Sequence, residues 1–551
     1  MDNQEKLQDE ESLFQKGIQS LKKELSYKNL FLTALIATFV FGLCAHGFAF
    51  FNLNVSHDAL YEFYNVVSAR QKFGIGRFIE PIFRFITGEA YVLPWFAGII
   101  GLTFVACGVY FLCKTFALRS VWQVILLSGI FSVNVTVTAV LASFMHDFTG
   151  DMFAFFLSVW VVYVWTNGKN KKTTPLLVGV GTILLLGIYQ GYLGISVTLL
   201  LLYAVQTLLR GEAWQAVFKR LLLVMLLLAV CCFVYFALSW GFEKLWGQAL
   251  TDYNDAQKLL VDPIEYLVRI AKAYGRTFLI LFVPGCGKLS TAYSTWAIRG
   301  VAVGNWLICI LNALLLVYTV YCYCLGVRRQ GLQRGNVLCA LLFLLLLPLT
   351  MSLVVVMADM CHDVMKMGAW MFYPIDIVLL CWYGTTKQGK KKGYALKNAF
   401  VVFPLALFVI FNGMGVSNTC YVKKELDAQA TLSSVSRLIS DIEEQDGYVY
   451  GETEVAFLGN FDEIHKDMRL FALDGGELFV AGVDYNASVS YLTTWQAYFD
   501  IVVRYPIKVV GDEKANEIKT WEQVKSMPVY PQAGSVCTID GIIVVKLSYE
   551  E

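Results

Sequence analysis

Charge is scarce in this 551-residue chain. Only 16% of its residues are Asp, Glu, Lys or Arg, against 57% hydrophobic and 15% aromatic; a soluble chain carries roughly 25% charged and about 45–50% apolar residues. That shortage excludes disorder, nucleic-acid binding and an ordinary cytosolic enzyme. There is no HExxH, P-loop, GxSxG or dinucleotide fingerprint, so an ATP-driven pump and a soluble nucleotide-sugar enzyme fall away as well. No CxxC pair occurs among the fourteen cysteines, and most of them lie inside apolar runs, where Cys acts as a small hydrophobe rather than as part of a disulfide or zinc framework. Cys420 and Cys537 alone fall in the polar C-terminal stretch, and they are the pair that could bridge in an oxidising compartment.

Apolar runs long enough to cross a bilayer, about 20 residues each, are abundant. They fall near 30–52, 91–113, 120–142, 151–167, 175–191, 194–209, 220–241, 304–326, 336–358, 368–384 and 398–416. The fold class is therefore a polytopic α-helical membrane protein of about eleven transmembrane helices. The first run has no small-residue cleavage site and follows a charged leader, residues 1–29, which reads as a cytoplasmic amphipathic helix; the run is an anchor and not a removable signal peptide. The net charge of +1 hides a segregation: the last 135 or so residues hold about 22 acids against about 11 bases, and everything upstream is net basic. Residues 417–551 combine a helical stretch with short strand-like runs (EVAFLG, IVVRYPIKVVG, GIIVVKLS) and read as a small soluble α/β domain.

Five short loops on one side, among them NGKNKKT, RGEAWQAVFKR and KQGKKKGYALK, together hold about 16 Lys/Arg in roughly 46 positions, while those opposite hold little beyond Lys366. Excess Lys/Arg marks the cytoplasmic side. The N-terminus is then expected inside and, after eleven spans, the C-terminal domain outside. Two outward loops are long, 53–90 and 242–303, each with acids, bases and aromatics at helical spacing as in a helix on the membrane surface. Within the second, TFLILFVPGCG (277–287) is too short to cross and is expected to be re-entrant or interfacial.

Histidine is scarce as well, yet three of the five are followed by aspartate: His57–Asp58, His146–Asp147 and His362–Asp363. All three pairs fall at expected outer ends of spans, where ionisable groups usually line a polar cavity. Asp58 and Glu62 are four apart, as are Asp147 and Asp151, so each acidic pair would share one helical face. Such pairs can supply a general base, a divalent-metal site (Mg or Mn, with Asp58, Asp147, Asp151, His362 and Asp363 as candidate ligands), or both. The alternative is that these acids are merely solvated loop residues. The first outer loop also carries Arg70, Lys72, Arg77 and Arg84, with Arg77 inside FGIGRFIEP. Positive charge outside runs against the loop bias, and an Arg fork suits a phosphate or diphosphate; headgroup anchoring is the competing account. Arg269, Arg276, Lys288, Arg299 and Lys366 are further candidates for that duty. GIYQGYLGI (187–195) puts Tyr189, Gln190 and Tyr192 at an outer boundary; Gln with flanking aromatics suits a sugar, and an interfacial aromatic belt explains the tyrosines equally well. Asp376 lies within the span FYPIDIVLL.

Several of these elements in this order resemble the GtrII-like glucosyltransferase family. They are SHDALYEFYN (56–65), Gly76-Arg77-Phe78, MHDFTGD (145–151), the Tyr-Gln of GIYQGY, and MPVYPQAGSV (527–536) before a final strand GIIVVKL. The Gly-Arg element ends in Phe here and not in Trp. The resemblance implies a GT-C-like bundle in the bacterial cytoplasmic (inner) membrane, with the C-terminal domain extracytoplasmic. It implies an inverting glycosyltransferase that moves a sugar, glucose in the family's best-known members, from a polyprenyl-phosphate-linked donor to a cell-surface polysaccharide or glycolipid. A companion flippase and a polyprenyl-phosphate sugar synthase are the partners implied beside membrane lipids, and no nucleic acid. By position it implies Asp58, with Glu62, as the general base, and Arg77 as the first candidate to stabilise the leaving phosphate; the residues read above add Asp147 as a catalytic carboxylate and His57, Arg84, His146, Asp151, Tyr189, Gln190 and Lys366 as substrate-binding candidates. A transporter or flippase of lipid-linked sugars, and a polysaccharide polymerase or ligase, remain open alternatives, as does a non-catalytic scaffold.

Overall fold

A computed structural model of the chain describes residues 24–53, 59–60, 72–87, 93–247, 262–284, 303–386, 390, 393–459, 461, 483, 489 and 494–548. The expected leader helix lies outside the described residues as far as residue 23; its last part is already structured. Ser26 caps the first helix through its side chain, accepting from the Asn29 backbone N–H at 3.3 Å, and Leu25 donates to the Arg119 carbonyl.

Runs of apolar residues bounded by polar caps form helices here because only an intrasegment ladder satisfies the backbone in lipid. In chain order they are α1 (Tyr27–Phe51), the short α2 (Glu80–Thr87), α3 (Pro94–Phe116), α4 (Val121–Val133) and α5 (Val135–Ser143). Then come α6 (Phe148–Asn167), α7 (Thr173–Ile188), α8 (Leu193–Leu209), α9 (Trp214–Trp246), α10 (Pro263–Phe282), α11 (Val303–Gln330), α12 (Arg334–Met351), α13 (Leu353–Ala358), α14 (Phe372–Thr385) and α15 (Tyr394–Glu443). Ten stretches among the described residues are long and apolar enough to cross a membrane, with α7 a shorter apolar helix beside them. Together they match the eleven expected spans one for one, and the chain is a multi-pass membrane protein.

Small residues bring the helices close. At Gly101 and Gly108 of α3 an added Cβ would lie 2.3 Å from the Phe148 ring and 2.5 Å from the Phe155 ring of α6, so these glycines let the two helices meet ring against backbone. Asn134 interrupts the third span between α4 and α5: its amide donates to the Ile130 carbonyl at 2.9 Å and its side-chain oxygen accepts from the Val137 backbone N–H at 3.2 Å. His46 is buried in the bundle, bonding to the Tyr421 hydroxyl at 2.8 Å and the Ser132 carbonyl at 2.7 Å.

Two expectations from the sequence need revision. The segment expected to re-enter at 277–287 is, as far as residue 282, the end of the continuous helix α10, which packs on α11, α12 and α13. The helix stops at Val283, extended before Pro284, because proline disfavours the helical conformation of its predecessor. The boundary expected at 416/417 is crossed without a break. α15 runs for 50 residues, about 75 Å at the helical rise. Ser417, Cys420, Tyr421 and Lys424 are all buried in the membrane bundle, and Lys424 reaches the Ala142 carbonyl. Cys420 and Cys537 are both free: the first is sealed in the bundle, and the second lies on the tail's sheet at 3.6 Å from the Met527 sulfur.

Beyond α15 the tail forms a four-stranded sheet from β1 (Glu454–Leu458), β2 (Lys508–Val509), β3 (Val536–Ile539) and β4 (Ile542–Lys546), with α16 (Asp512–Lys519) and α17 (Glu522–Ser526) between β2 and β3. The strand order is β2-β1-β4-β3, with β1 parallel to β2 and β4 and β3 antiparallel to β4. One of its two cores holds Val435, Leu438 and Ile442 of α15, Phe457, Trp495 and Ile543, and also Leu60 from the first long loop. Tail residue Val483 is buried in the core of the bundle.

Candidate active site

At one end of the bundle three reversals are made by 3₁₀ turns instead of long loops: Met145–Asp147 between α5 and α6, Gln190–Tyr192 between α7 and α8, and Asp363–Met371 ahead of α14. The first packs against α2, and the third against α5 and the second. The sequence motifs MHD, YQGY and HDVMK therefore lie at one end of the bundle.

The centre of the arrangement is Asp147. Its Oδ1 accepts from the Arg84 guanidinium at 2.7 Å, its Oδ2 accepts from the Lys72 ammonium, and Arg77 Nη1 stands 3.8 Å from Oδ2. Arg84 also donates through Nε to Glu80 Oε1 at 3.0 Å. Lys72, Glu80, Arg84 and Asp147 are all buried. Glu80 and Arg84 are one turn apart on α2 and turn inward together, while Ile82, Phe85 and Ile86 on its other side are exposed. Burial, with the Asp147 carboxylate next in weight, pushes the Glu80 carboxyl well above the usual carboxylate range.

Arg77 is aimed by the turn that precedes it. Gly76 has a φ of +74°, and a Cβ there would sit 2.1 Å from the Tyr235 hydroxyl, so both the backbone conformation and the space require glycine. That hydroxyl donates to the Gly76 carbonyl at 3.2 Å and accepts from the Gln190 amide, which also donates to the Ile75 carbonyl at 3.1 Å. The Arg77 guanidinium lies over the Tyr189 ring, 4.1 Å from its centroid, a cation–π contact that holds the fork in place. His146 is buried within the turn that carries Asp147. Asp151, buried one helical turn further along α6, interacts electrostatically with Tyr192, as does Arg77.

A second charged group lies in the third turn. Lys366 donates to Asp363 Oδ1 at 2.6 Å, with both side chains fully buried. The His362 backbone carbonyl accepts from the Met365 backbone N–H at the start of this turn.

The structure thus gathers Arg77, Arg84, His146, Asp147, Asp151, Tyr189 and Gln190 into one site and sets Asp363 and Lys366 in a neighbouring turn. His57, Asp58, Glu62, Arg70, Lys288 and Arg299 lie outside the described residues. Arg269, a candidate phosphate ligand by sequence, is buried and paired with Glu265 at 2.8 Å. No group of three His, Cys, Asp or Glu side chains placed to share a metal ion occurs among the described residues; of the candidate ligands, Asp147 serves Lys72 and Arg84, and Asp363 serves Lys366. Two participants escaped the sequence reading. Glu80 left a trace, standing four residues before Arg84 inside the motif; Tyr235, in an apolar run, left none.

Residues 47–379, more than half of the chain, match the family model described as Glucosyl transferase GtrII. No curated protein and no solved structure matches the chain. The matched region holds the whole of the Asp147 ion cluster and all three turns around it, and on that match the chain belongs to the GtrII glucosyl transferase family.

Proposed function

We propose that the protein transfers a sugar, glucose in the first instance, from a polyprenyl-phosphate-linked donor to a cell-surface polysaccharide or glycolipid on the outer face of the bacterial cytoplasmic membrane. The observation that carries this reading is the triad of cations Lys72, Arg77 and Arg84 gathered on Asp147 at one end of a membrane bundle. Fixed cations at membrane depth suit a leaving group that is itself a lipid-borne phosphate, because they meet charge that develops as the bond breaks. The end in question is the one away from the Lys/Arg-rich short loops, hence the outer one by the charge rule.

In the proposed reaction an acceptor hydroxyl attacks the anomeric carbon, its proton passes to a carboxylate, and the bond from that carbon to the phosphate oxygen breaks. The electron pair leaves with the polyprenyl phosphate, and the configuration inverts. Asp147 is poorly suited to take the proton, since both its oxygens are engaged by cations; it orients Lys72 and Arg84. The base is then Asp58, with Glu62 beside it in sequence. Arg77, held by Tyr189 and the Gly76 turn, grips the phosphate, and Gln190 fixes that turn. A companion synthase would supply the polyprenyl-phosphate sugar and a flippase would present it outside.

Mass spectrometry of the surface polysaccharide in cells with and without the gene tests the reading: loss of one hexose per repeat supports it, and identical glycans overturn it. Asp58→Asn is expected to reproduce the deletion while the protein remains at normal level in the membrane. Wild-type glycan in that variant would move the base elsewhere.

A further inference from the structure

At the end of the bundle opposite the three turns, a cavity of about 70 Å³ opens between α6, α8 and α9. It is lined by Trp165 and Thr166 from the last turn of α6, by Leu200, Tyr203 and Thr207 of α8, and by Arg220 and Leu221 of α9. The Thr166 and Thr207 hydroxyls bond back to carbonyls of their own helices, so Arg220 is the one charge the lining offers. The volume is far too small for a sugar ring. A headgroup phosphate at the mouth, with the first carbons of its chains following the outer side of α9, fits that space.

The surroundings favour such an occupant. α9 continues from the cavity as a lipid-facing ridge, with Leu222, Leu223 and Leu226 about half exposed. Lys169, Lys171 and Lys172 begin three residues after Thr166, Arg210 follows α8 directly, and Lys219 and Arg220 lie in the second turn of α9, with Glu212 as the single acid among them. Arg220 donates through one nitrogen to Glu212, both side chains being nearly half exposed, and exposed pairs of this kind are worth little. A guanidinium has five N–H donors, so a phosphate can join or displace that carboxylate. Trp165 and Tyr203 supply the amphipathic rings that sit at headgroup level.

We propose that this cavity is a binding site for one anionic phospholipid, its phosphate on Arg220 and its acyl chains against α9, at the membrane face away from the candidate active site. The full-length protein, exchanged into vesicles of phosphatidylglycerol or of phosphatidylcholine and then released for native mass spectrometry, tests it. Wild type should keep one phosphatidylglycerol through release and should not keep phosphatidylcholine. Arg220→Gln should lower phosphatidylglycerol retention about tenfold or more, as expected for the loss of a charge-assisted hydrogen bond. Arg220→Lys should keep part of it, and Leu200→Trp, which fills the groove without touching charge, should abolish it. Equal retention of the two lipids by wild type, or unchanged phosphatidylglycerol retention in Arg220→Gln, overturns the proposal. The readout is independent of sugar transfer, so it stands or falls apart from the proposed activity.

Discussion

Asp147 and Glu80 are two carboxyls in one buried cluster with opposite duties. Asp147 takes the cations on both oxygens. Replacing it by Asn removes the counter-charge of Lys72 and leaves Arg84 with Glu80 alone, a loss of about 3–5 kcal/mol for a broken buried pair; we expect a lower Tm in detergent and no sugar transfer. Glu80→Gln keeps an oxygen for Arg84 and is expected to cost less than Asp147→Asn, because burial and the neighbouring Asp147 carboxylate already push the Glu80 carboxyl well above the usual carboxylate range. The same feature fixes a pH dependence. A carboxyl raised in the folded state binds a proton on folding, so its contribution is full below the ordinary carboxyl pKa and declines as pH climbs from there to the raised value. Tm measured against pH should fall across that window more steeply in wild type than in Glu80→Gln. Parallel curves would show that Glu80 ionises normally.

At the scale of elements, the site depends on short pieces that break the helical rule. Three 3₁₀ turns reverse the chain between spans, and the Gly76 turn hands Arg77 to the Tyr189 ring. Gly76→Ala asks for a left-handed conformation and drives a methyl into the Tyr235 hydroxyl. It should cost about 1–3 kcal/mol and most of the transfer activity, whereas Tyr235→Phe, which removes only the hydroxyl, should be milder in both. If Gly76→Ala matches wild type in Tm and in surface glycan, the turn does not position Arg77. α15 shows the reverse behaviour: the span expected at 398–416 and the helical stretch expected beyond it are one helix, continuous to Glu443. Its membrane half and its soluble half are both good helical sequence with no proline or glycine between Gly415 and Glu443, so nothing local stops it.

The whole molecule is held together across its two parts. Leu60, from the same loop as Asp58 and Glu62, is fully buried in the tail's core beside Val435, Leu438 and Ile442. Leu60→Asp places an unpaired charge there, a loss of several kcal/mol, on the order of 3–5, and limited proteolysis should then cut the tail readily while the bundle stays intact. Leu60→Met, close in volume, should cost less than about 1.5 kcal/mol and leave the tail protected. A tail equally resistant in Leu60→Asp would mean that the loop does not key into it.

Composition and periodicity alone settled the membrane class, the eleven apolar segments and the α/β character of the tail, because the bilayer imposes one length and one kind of residue on anything that crosses it. The span boundaries led to the expectation that Arg77, Arg84, Asp147 and Gln190 share one end. What lay beyond the sequence was which charge meets which. That Lys72 and Arg84 share Asp147, that Glu80 joins them, and that Tyr235 lies over Gly76 are consequences of helices from distant parts of the chain meeting at glycines and aromatic rings. Contacts between residues far apart in sequence leave no periodic trace along the chain, so only the packed bundle decides them.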